Sequence, residues 1–310
     1  MSRRRKNALM QRVEYLLYRA AAGAVRLASD QGLRRWGSRL GMLARHVLRS
    51  RDRLAMRNLT ETFPEKSSAE CRHILDECWR HFGRQALATL RTQNQPIDEI
   101  APLVQFVDTH ILEEALAVGR GILFLSAHFG SWEIGGLAIM SLVKSVYTVA
   151  RPLDNEYLER DVARIRAGTG VQVVDRKRAA RSLLKALSQN AAVILLPDQA
   201  VQPREGILVP FLGRPAWTTD APAKLALRTE STIVIAFCIP VESGHRLDFE
   251  EAIRIDQLRE EEKGVEALTR RINDAISRRI AARPELWLWM HDRWKGNASG
   301  EIEGKTTDGE

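Results

Sequence analysis

In the stretch GILFLSAHFGSWEIGG, His128 and Glu133 have types and spacing that suit proton transfer. A neutral imidazole near its working pKa removes a proton from an alcohol, and a neighbouring carboxylate fixes its tautomer and stabilises the imidazolium as it forms. The same pair activates water as readily as an alcohol, but the Gly-x-Ser-x-Gly nucleophile elbow of many hydrolases is absent. Taken alone, a His-x-x-x-x-Glu spacing also describes a hydrogen-bonded histidine at a strand end and a carboxylate serving a helix dipole. Its weight therefore depends on the elements that carry it.

Those elements read as a buried strand ending at Ser126, a turn containing Gly130, and a helix from Trp132. Carboxyl ends of strands form the usual ligand crevice in open α/β sheets, so His128 and Glu133 would flank such a crevice. Further short apolar runs, Ser145 to Ala150, Val171 to Val174, Ala192 to Leu196 and Thr232 to Ile239, read as strands. Helical stretches separate them: Trp132 to Lys144, Asn155 to Ala167, Arg178 to Gln189 and Thr219 to Thr229. The alternation predicts an α/β fold, a mostly parallel central sheet flanked by helices, with an N-terminal amphipathic helical layer.

On that fold Arg151 follows a strand and is expected to contact substrate near His128. Asp154 and Asn155 read as caps of the next helix. Asp198 and Gln199 follow the strand Ala192 to Leu196, and the run Arg176, Lys177, Arg178 and Arg181 reads as a solvated face or a phosphate grip. A charged helix, Arg259 to Ala282, leads to PELWLWMHDRWK, whose tryptophans among His291, Arg293 and Lys295 suit a polar-apolar boundary. Core packing accounts for at least two of the tryptophans, and His291 is given no catalytic role, standing as a second-choice base only if His128 fails.

Residues 1–60 hold 15 Lys and Arg against three acids, although the whole chain is only +8. Such a basic end suits phosphates, on nucleic acid or on a bilayer. From Gln11 to Ala28, Arg12, Arg19 and Arg26 recur every seven residues with Leu16, Leu17, Ala20, Ala24 and Leu27 opposite, and a second basic helix is predicted from Leu33 to Leu54. Both resemble interfacial anchors, and neither holds the roughly 18 apolar residues of a membrane span. Charges interrupt any secretory signal after the first arginines. Ser67 and Glu70 read as a capping box opening a helix to about Leu90. A pI near 9.7 also fits nucleic-acid binding, but the aromatics among those arginines are one Trp and two Tyr, and no reading motif is present, so no nucleic-acid partner is expected. Cys71, Cys78 and Cys238 have neither disulfide nor zinc-site spacing and read as small buried hydrophobes. The expected organisation is basic membrane-associating helices over 1–58, an α/β domain over 59–295 and a disordered tail over 296–310.

The segments AHFGSWE, ARPLDNEYLE, VVDRK, LLPDQ, VPFLGRPAWTTD and PELWLWMHDRWK, in this order, with EYLLYRA near the N-terminus, resemble the late acyltransferases of lipid A biosynthesis, the lauroyl and myristoyl transferase family. The resemblance implies an enzyme peripheral to the cytoplasmic face of the inner membrane. It would move a fatty acyl chain from acyl carrier protein to a hydroxyl of a phosphorylated glucosamine-based glycolipid. His128 and Glu133 match the catalytic pair of that family, and Arg166 and Asp198 its other essential arginine and aspartate; these two, with Arg151 and Gln199, are expected to bind substrate. No metal or redox cofactor is implied. Glycerophospholipid acyltransferases carry a Glu-Gly-Thr-Arg-type motif that is missing here. Mannosylated phosphatidylinositol, ornithine lipid and other glycolipids remain alternative acceptors, and acyl-CoA an alternative donor.

Overall fold

The computed structural model describes residues 7–92, 95–150, 153–175 and 179–296, with the side chains of 165–169 outside the description. Arg151, the run Arg176 to Arg178, the Arg166 side chain and residues 297–310 of the expected tail lie outside the described residues. The helices and strands run in the order α1 (Ala8–Leu27), α2 (Asp30–Val47), α3 (Arg49–Thr62), α4 (Ser68–Thr92), α5 (Ile97–Ile100), β1 (Val104–Val107), α6 (Thr109–Ala117), β2 (Ile122–Leu125), α7 (Trp132–Ile139) and β3 (Val146–Ala150). They continue as α8 (Glu156–Thr169), β4 (Gln172–Asp175), α9 (Ala179–Ser188), β5 (Ala192–Leu195), β6 (Ile207–Phe211), β7 (Arg214–Thr218), α10 (Ala221–Thr229), β8 (Thr232–Pro240), β9 (His245–Ile253) and α11 (Val265–Ala282).

The expected α/β architecture is present. Seven described strands form one sheet in the order β1-β9-β8-β2-β5-β3-β4, parallel except where β8 meets β9. Alternation along β2 divides the core: Leu123 and Leu125 join the layer holding α9, α10 and α11, while Ile122 and Phe124 join the layer holding α7. The chain leaves β2 through α7 toward β3, and leaves β5 through α10 toward β8, in the opposite direction. The two connections therefore lie on opposite faces, and a crevice opens at the carboxyl ends of β2 and β5.

Several boundaries differ from the sequence reading. The expected helix Leu33 to Leu54 is two, because Leu48 leaves helical geometry (φ −94°, ψ 49°) and α3 turns to bury Ala55 and Leu59. The expected helix Trp132 to Lys144 ends at Ile139, where the Ser141 hydroxyl donates to the Ala138 carbonyl. The β6–β7 hairpin was not anticipated: its turn has Leu212 at φ 50° and Gly213 at φ 74°, and Leu-Gly is a weak signal beside Asn-Gly. The edge strand β1 and its inner neighbour β9 are also absent from the sequence reading; β9 buries Leu247, Asp248 and Phe249 in succession, which hides the alternation of a strand. The capping box stands as read, with Ser67 N donating to Glu70 Oε2 at 2.8 Å and Glu70 N to Ser67 Oγ at 3.3 Å. Cys71, Cys78 and Cys238 are all buried, and burial pushes the Cys78 thiol up to about 12.

The N-terminal layer has an unusual polarity. Helix α1 turns Gln11, Tyr15, Ala22 and Val25 inward and meets α8 through polar contacts: Arg12 Nε donates to Tyr157 Oη at 3.0 Å and Tyr15 Oη to Asp161 Oδ2 at 3.0 Å. Asn155 caps α8, accepting from Tyr157 N at 3.0 Å, and its amide donates to the Gln11 carbonyl at 2.9 Å. The leucines face outward; Leu16 and Leu17 are 65% and 66% exposed, and Trp36, Leu40, Leu43 and Val47 continue the exposed apolar face on α2. No described helix is long and apolar enough to cross a membrane.

Helix α2 is seated on α4 through glycines. A Cβ on Gly41 would overlap the Trp79 carbonyl, and one on Gly83 would overlap the Gly37 carbonyl. Gly41→Ala must part the helices and is expected to cost about 1–3 kcal/mol, read as a lower denaturant midpoint. Gly23→Ala, where a Cβ meets open space, is expected to leave stability equal or raise it by up to about 1 kcal/mol.

Candidate active site

Strand register brings His128 and Asp198 together. Leu125 pairs with Leu195, and the same 70-residue offset carries three residues further to His128 and Asp198. The Asp198 carboxylate is 1% exposed and receives three donors from two directions. His128 N donates to Oδ2 at 2.9 Å, His128 Nδ1 lies 2.9 Å from Oδ1, and Trp287 Nε1 donates to Oδ2 at 2.9 Å. A buried carboxylate is costly unless it is so satisfied. Burial alone would raise its pKa, but His128 and the donated hydrogen bonds hold it below the ordinary aspartate value. Burial likewise pushes His128 down, and the charge and hydrogen bond of Asp198, with a contribution from the Glu133 charge, outweigh it and leave the imidazole above its ordinary value.

The carboxylate that meets the imidazole, expected to be that of Glu133, is that of Asp198. Glu133 lies exposed on the first turn of α7, makes no hydrogen bond to the imidazole, and reaches it only through its charge. The substitution has a topological cause: Glu133 is near His128 in sequence, whereas Asp198 is its partner across a strand ladder. With Nδ1 donating to Asp198, the neutral ring presents its lone pair at Nε2, where the Gln199 amide nitrogen lies at 3.3 Å.

The turn holding His128 is fixed from several sides. Gly130 N donates to the Leu286 carbonyl at 2.9 Å, Leu288 N to the His128 carbonyl at 3.1 Å and Ser131 N to the Cys238 carbonyl at 2.7 Å. Gly130 has φ 59°, and a Cβ there would overlap the Cys238 carbonyl oxygen. Buried His81 donates from Nε2 to the Gly130 carbonyl at 3.1 Å; burial lowers its pKa to about 4, so it works as a neutral donor. His245 Nδ1 meets Ser131 Oγ at 2.9 Å.

The C-terminal segment packs into the core. Trp287, Trp289 and Trp294 are all buried, in keeping with core packing for at least two of them, with Trp287 and Trp289 edge-to-face at 4.7 Å. Packing aims the Trp287 N–H at Asp198, a role its spacing gave no sign of. His291 does not serve as a spare base: its Nε2 accepts from Ala200 N at 3.1 Å, and burial lowers its pKa. It anchors the loop that carries Asp198 and Gln199.

Beside the imidazole runs a groove of about 400 Å³, walled by Tyr18, Phe82, Ala86, Leu90 and Trp132, with Glu133 on its lining. The Trp132 ring lies 5.6 Å from the His128 ring and 5.8 Å from Phe82, so base and groove share a wall. The volume lies in the range of small-ligand sites. A histidine whose Nε2 lone pair is met only by a long amide contact, next to a mostly apolar groove, can deprotonate a hydroxyl next to a hydrocarbon chain.

A family model described as bacterial lipid A biosynthesis acyltransferase matches residues 2–296. The chain belongs to that family. The lipid A biosynthesis palmitoleoyltransferase of Escherichia coli (strain K12) is 25% identical over 268 residues, covering 86% of this chain and 85% of the relative. The lauroyltransferase of the same organism is 24% identical over 266 residues, covering 86% of each chain. A phosphatidylinositol mannoside acyltransferase of Mycobacterium tuberculosis (strain ATCC 25618 / H37Rv) is 27% identical over 224 residues, covering 71% of this chain and 68% of the relative. Membership of the lipid A biosynthesis acyltransferase family implies an acyl donor and a lipid acceptor for this site.

The site yields a pH test. The base acts when neutral, so the acid limb of kcat/KM is expected above the ordinary histidine value. Asp198→Asn removes the charge that raises it: the limb should move to lower pH while kcat falls about 10²–10⁴-fold. An unmoved limb would take Asp198 out of this role.

Proposed function

We propose that the protein moves a fatty acyl chain from acyl carrier protein to a hydroxyl of a phosphorylated, glucosamine-based lipid A precursor at the cytoplasmic face of the inner membrane. The observation that carries the reading is a histidine held by a buried aspartate beside an apolar groove. His128 Nε2 takes the hydroxyl proton, the oxygen attacks the thioester carbonyl, and the imidazolium returns the proton to the leaving thiolate. Asp198 orients the ring and stabilises its charged form. Glu133, on the groove, adds negative charge near the imidazolium and orients the acceptor. Arg166, on α8, and Arg151, after β3, supply guanidinium groups for acceptor phosphates, with Gln199 as a further substrate contact.

Residues 1–58 are proposed as the membrane-facing part and 59–295 as the catalytic domain. The outward leucines of α1 and α2, rimmed by arginines, suit burial in a headgroup layer of anionic lipid. A phosphoinositide mannoside acceptor is the second reading, favoured by the mycobacterial relative.

Incubation of the detergent-solubilised protein with mixed-length acyl carrier protein thioesters and a Kdo-bearing lipid A precursor should add one acyl chain to the acceptor, seen by mass spectrometry. His128→Ala should reduce the rate by about 10²–10⁴-fold. Acylation of a mannosylated phosphoinositide instead would keep the chemistry and overturn the acceptor; acylation of no lipid would end the reading. Separately, the double substitution Leu16→Glu and Leu17→Glu should weaken binding to anionic vesicles at least about tenfold, since each leucine contributes about 1.5–3 kcal/mol when buried. Transfer to detergent-dispersed acceptor should survive it.

A further inference from the structure

Acyl transfer needs a donor for the oxyanion of the tetrahedral intermediate, and this need rests on the reading just proposed. The backbone of the His128 turn offers none at its centre. His128 N is committed to Asp198, Phe129 N to the Ala127 carbonyl, Gly130 N to Leu286 and Ser131 N to Cys238. On the facing loop, Ala200 N is committed to His291. The Gln199 side-chain amide, between the fixed residues Asp198 and Ala200, is the donor that meets the reacting nitrogen.

Its geometry has two properties. The neutral ring has its lone pair at Nε2, so the amide must present its NH₂ rather than its oxygen there. At 3.3 Å the contact is long for a hydrogen bond, and hence weak. A hydroxyl that binds Nε2 with its own proton takes over that lone pair and releases an N–H within reach of the carbonyl under attack.

We propose that Gln199 is a catalytic residue whose amide occupies His128 Nε2 in the free enzyme and, displaced by the acceptor hydroxyl, donates to the thioester oxyanion. As the C–O bond forms, the hydroxyl proton passes to Nε2 and the carbonyl π pair moves onto oxygen, where the amide N–H binds it. Collapse restores the carbonyl, breaks the C–S bond, and the Nε2 proton goes to sulfur. The chain length and acceptor headgroup do not enter; the donor acts on the thioester itself.

The test compares wild type with Gln199→Ala and the isosteric Gln199→Glu, which keeps volume but loses the donor. Transfer to saturating lipid acceptor and hydrolysis of the acyl carrier thioester without acceptor are both measured. An oxyanion donor predicts kcat losses of about 10²–10³-fold in both reactions, with acceptor KM nearly unchanged. A raised acceptor KM with intact kcat and hydrolysis would make Gln199 an acceptor contact and overturn the proposal, as would full activity in both variants. Absence of transfer by the wild type to any lipid would instead overturn the acyltransfer reading, so the two failures are distinct.

Discussion

A carboxylate buried at 1% exposure constrains much of this molecule. Desolvating such a charge costs several kcal/mol, and the cost is offset only if donors meet both oxygens. Asp198 obtains them from a backbone N–H, an imidazole and an indole, contributed by the turn after β2 and by the segment after α11. Three regions far apart in sequence must therefore close on one another. The buried tryptophans, the isolated bridge between Phe129 and Trp287 and the hydrogen bonds of Asn58 to the carbonyls of Trp289 and His291 form the scaffold of that closure.

The same closure sets the chemistry. Because Nδ1 is tied to Asp198, Nε2 is the ring nitrogen left to react, and the ring packs beside Trp132, which walls the groove. Neutral His81 and His245 hold the turn without competing for protons, since burial lowers both to about 4. Burial lowers His81 and His245 while His128 is raised, and the difference arises from which of them faces a carboxylate.

The N-terminal layer answers a different constraint. Helix α1 spends polar side chains on α8 and leaves its leucines exposed, an arrangement that water alone penalises and an apolar surface rewards. Tyr18 of α1 also walls the groove, so the outward-facing layer and the reactive site share an element. Seating by glycine, at the crossing of α2 and α4, keeps that layer close to the catalytic body.

Much was legible along the chain because it depends on local period and turn chemistry. Apolar runs and their spacing specified the strands β2, β3, β4, β5 and β8, the capping box specified the start of α4, and a strand followed by Gly130 and a helix marked His128 as a residue at a crevice. Motif order was enough to name the family. What the sequence left open is which carboxylate meets the imidazole. Glu133 is five residues away and Asp198 seventy, and only the β2–β5 register brings the distant one to Nδ1. Trp287 as a donor, His291 as an anchor and the outward turn of the α1 leucines were likewise decided by packing, because a helical or aromatic pattern gives the spacing of a face and not the surface it will meet.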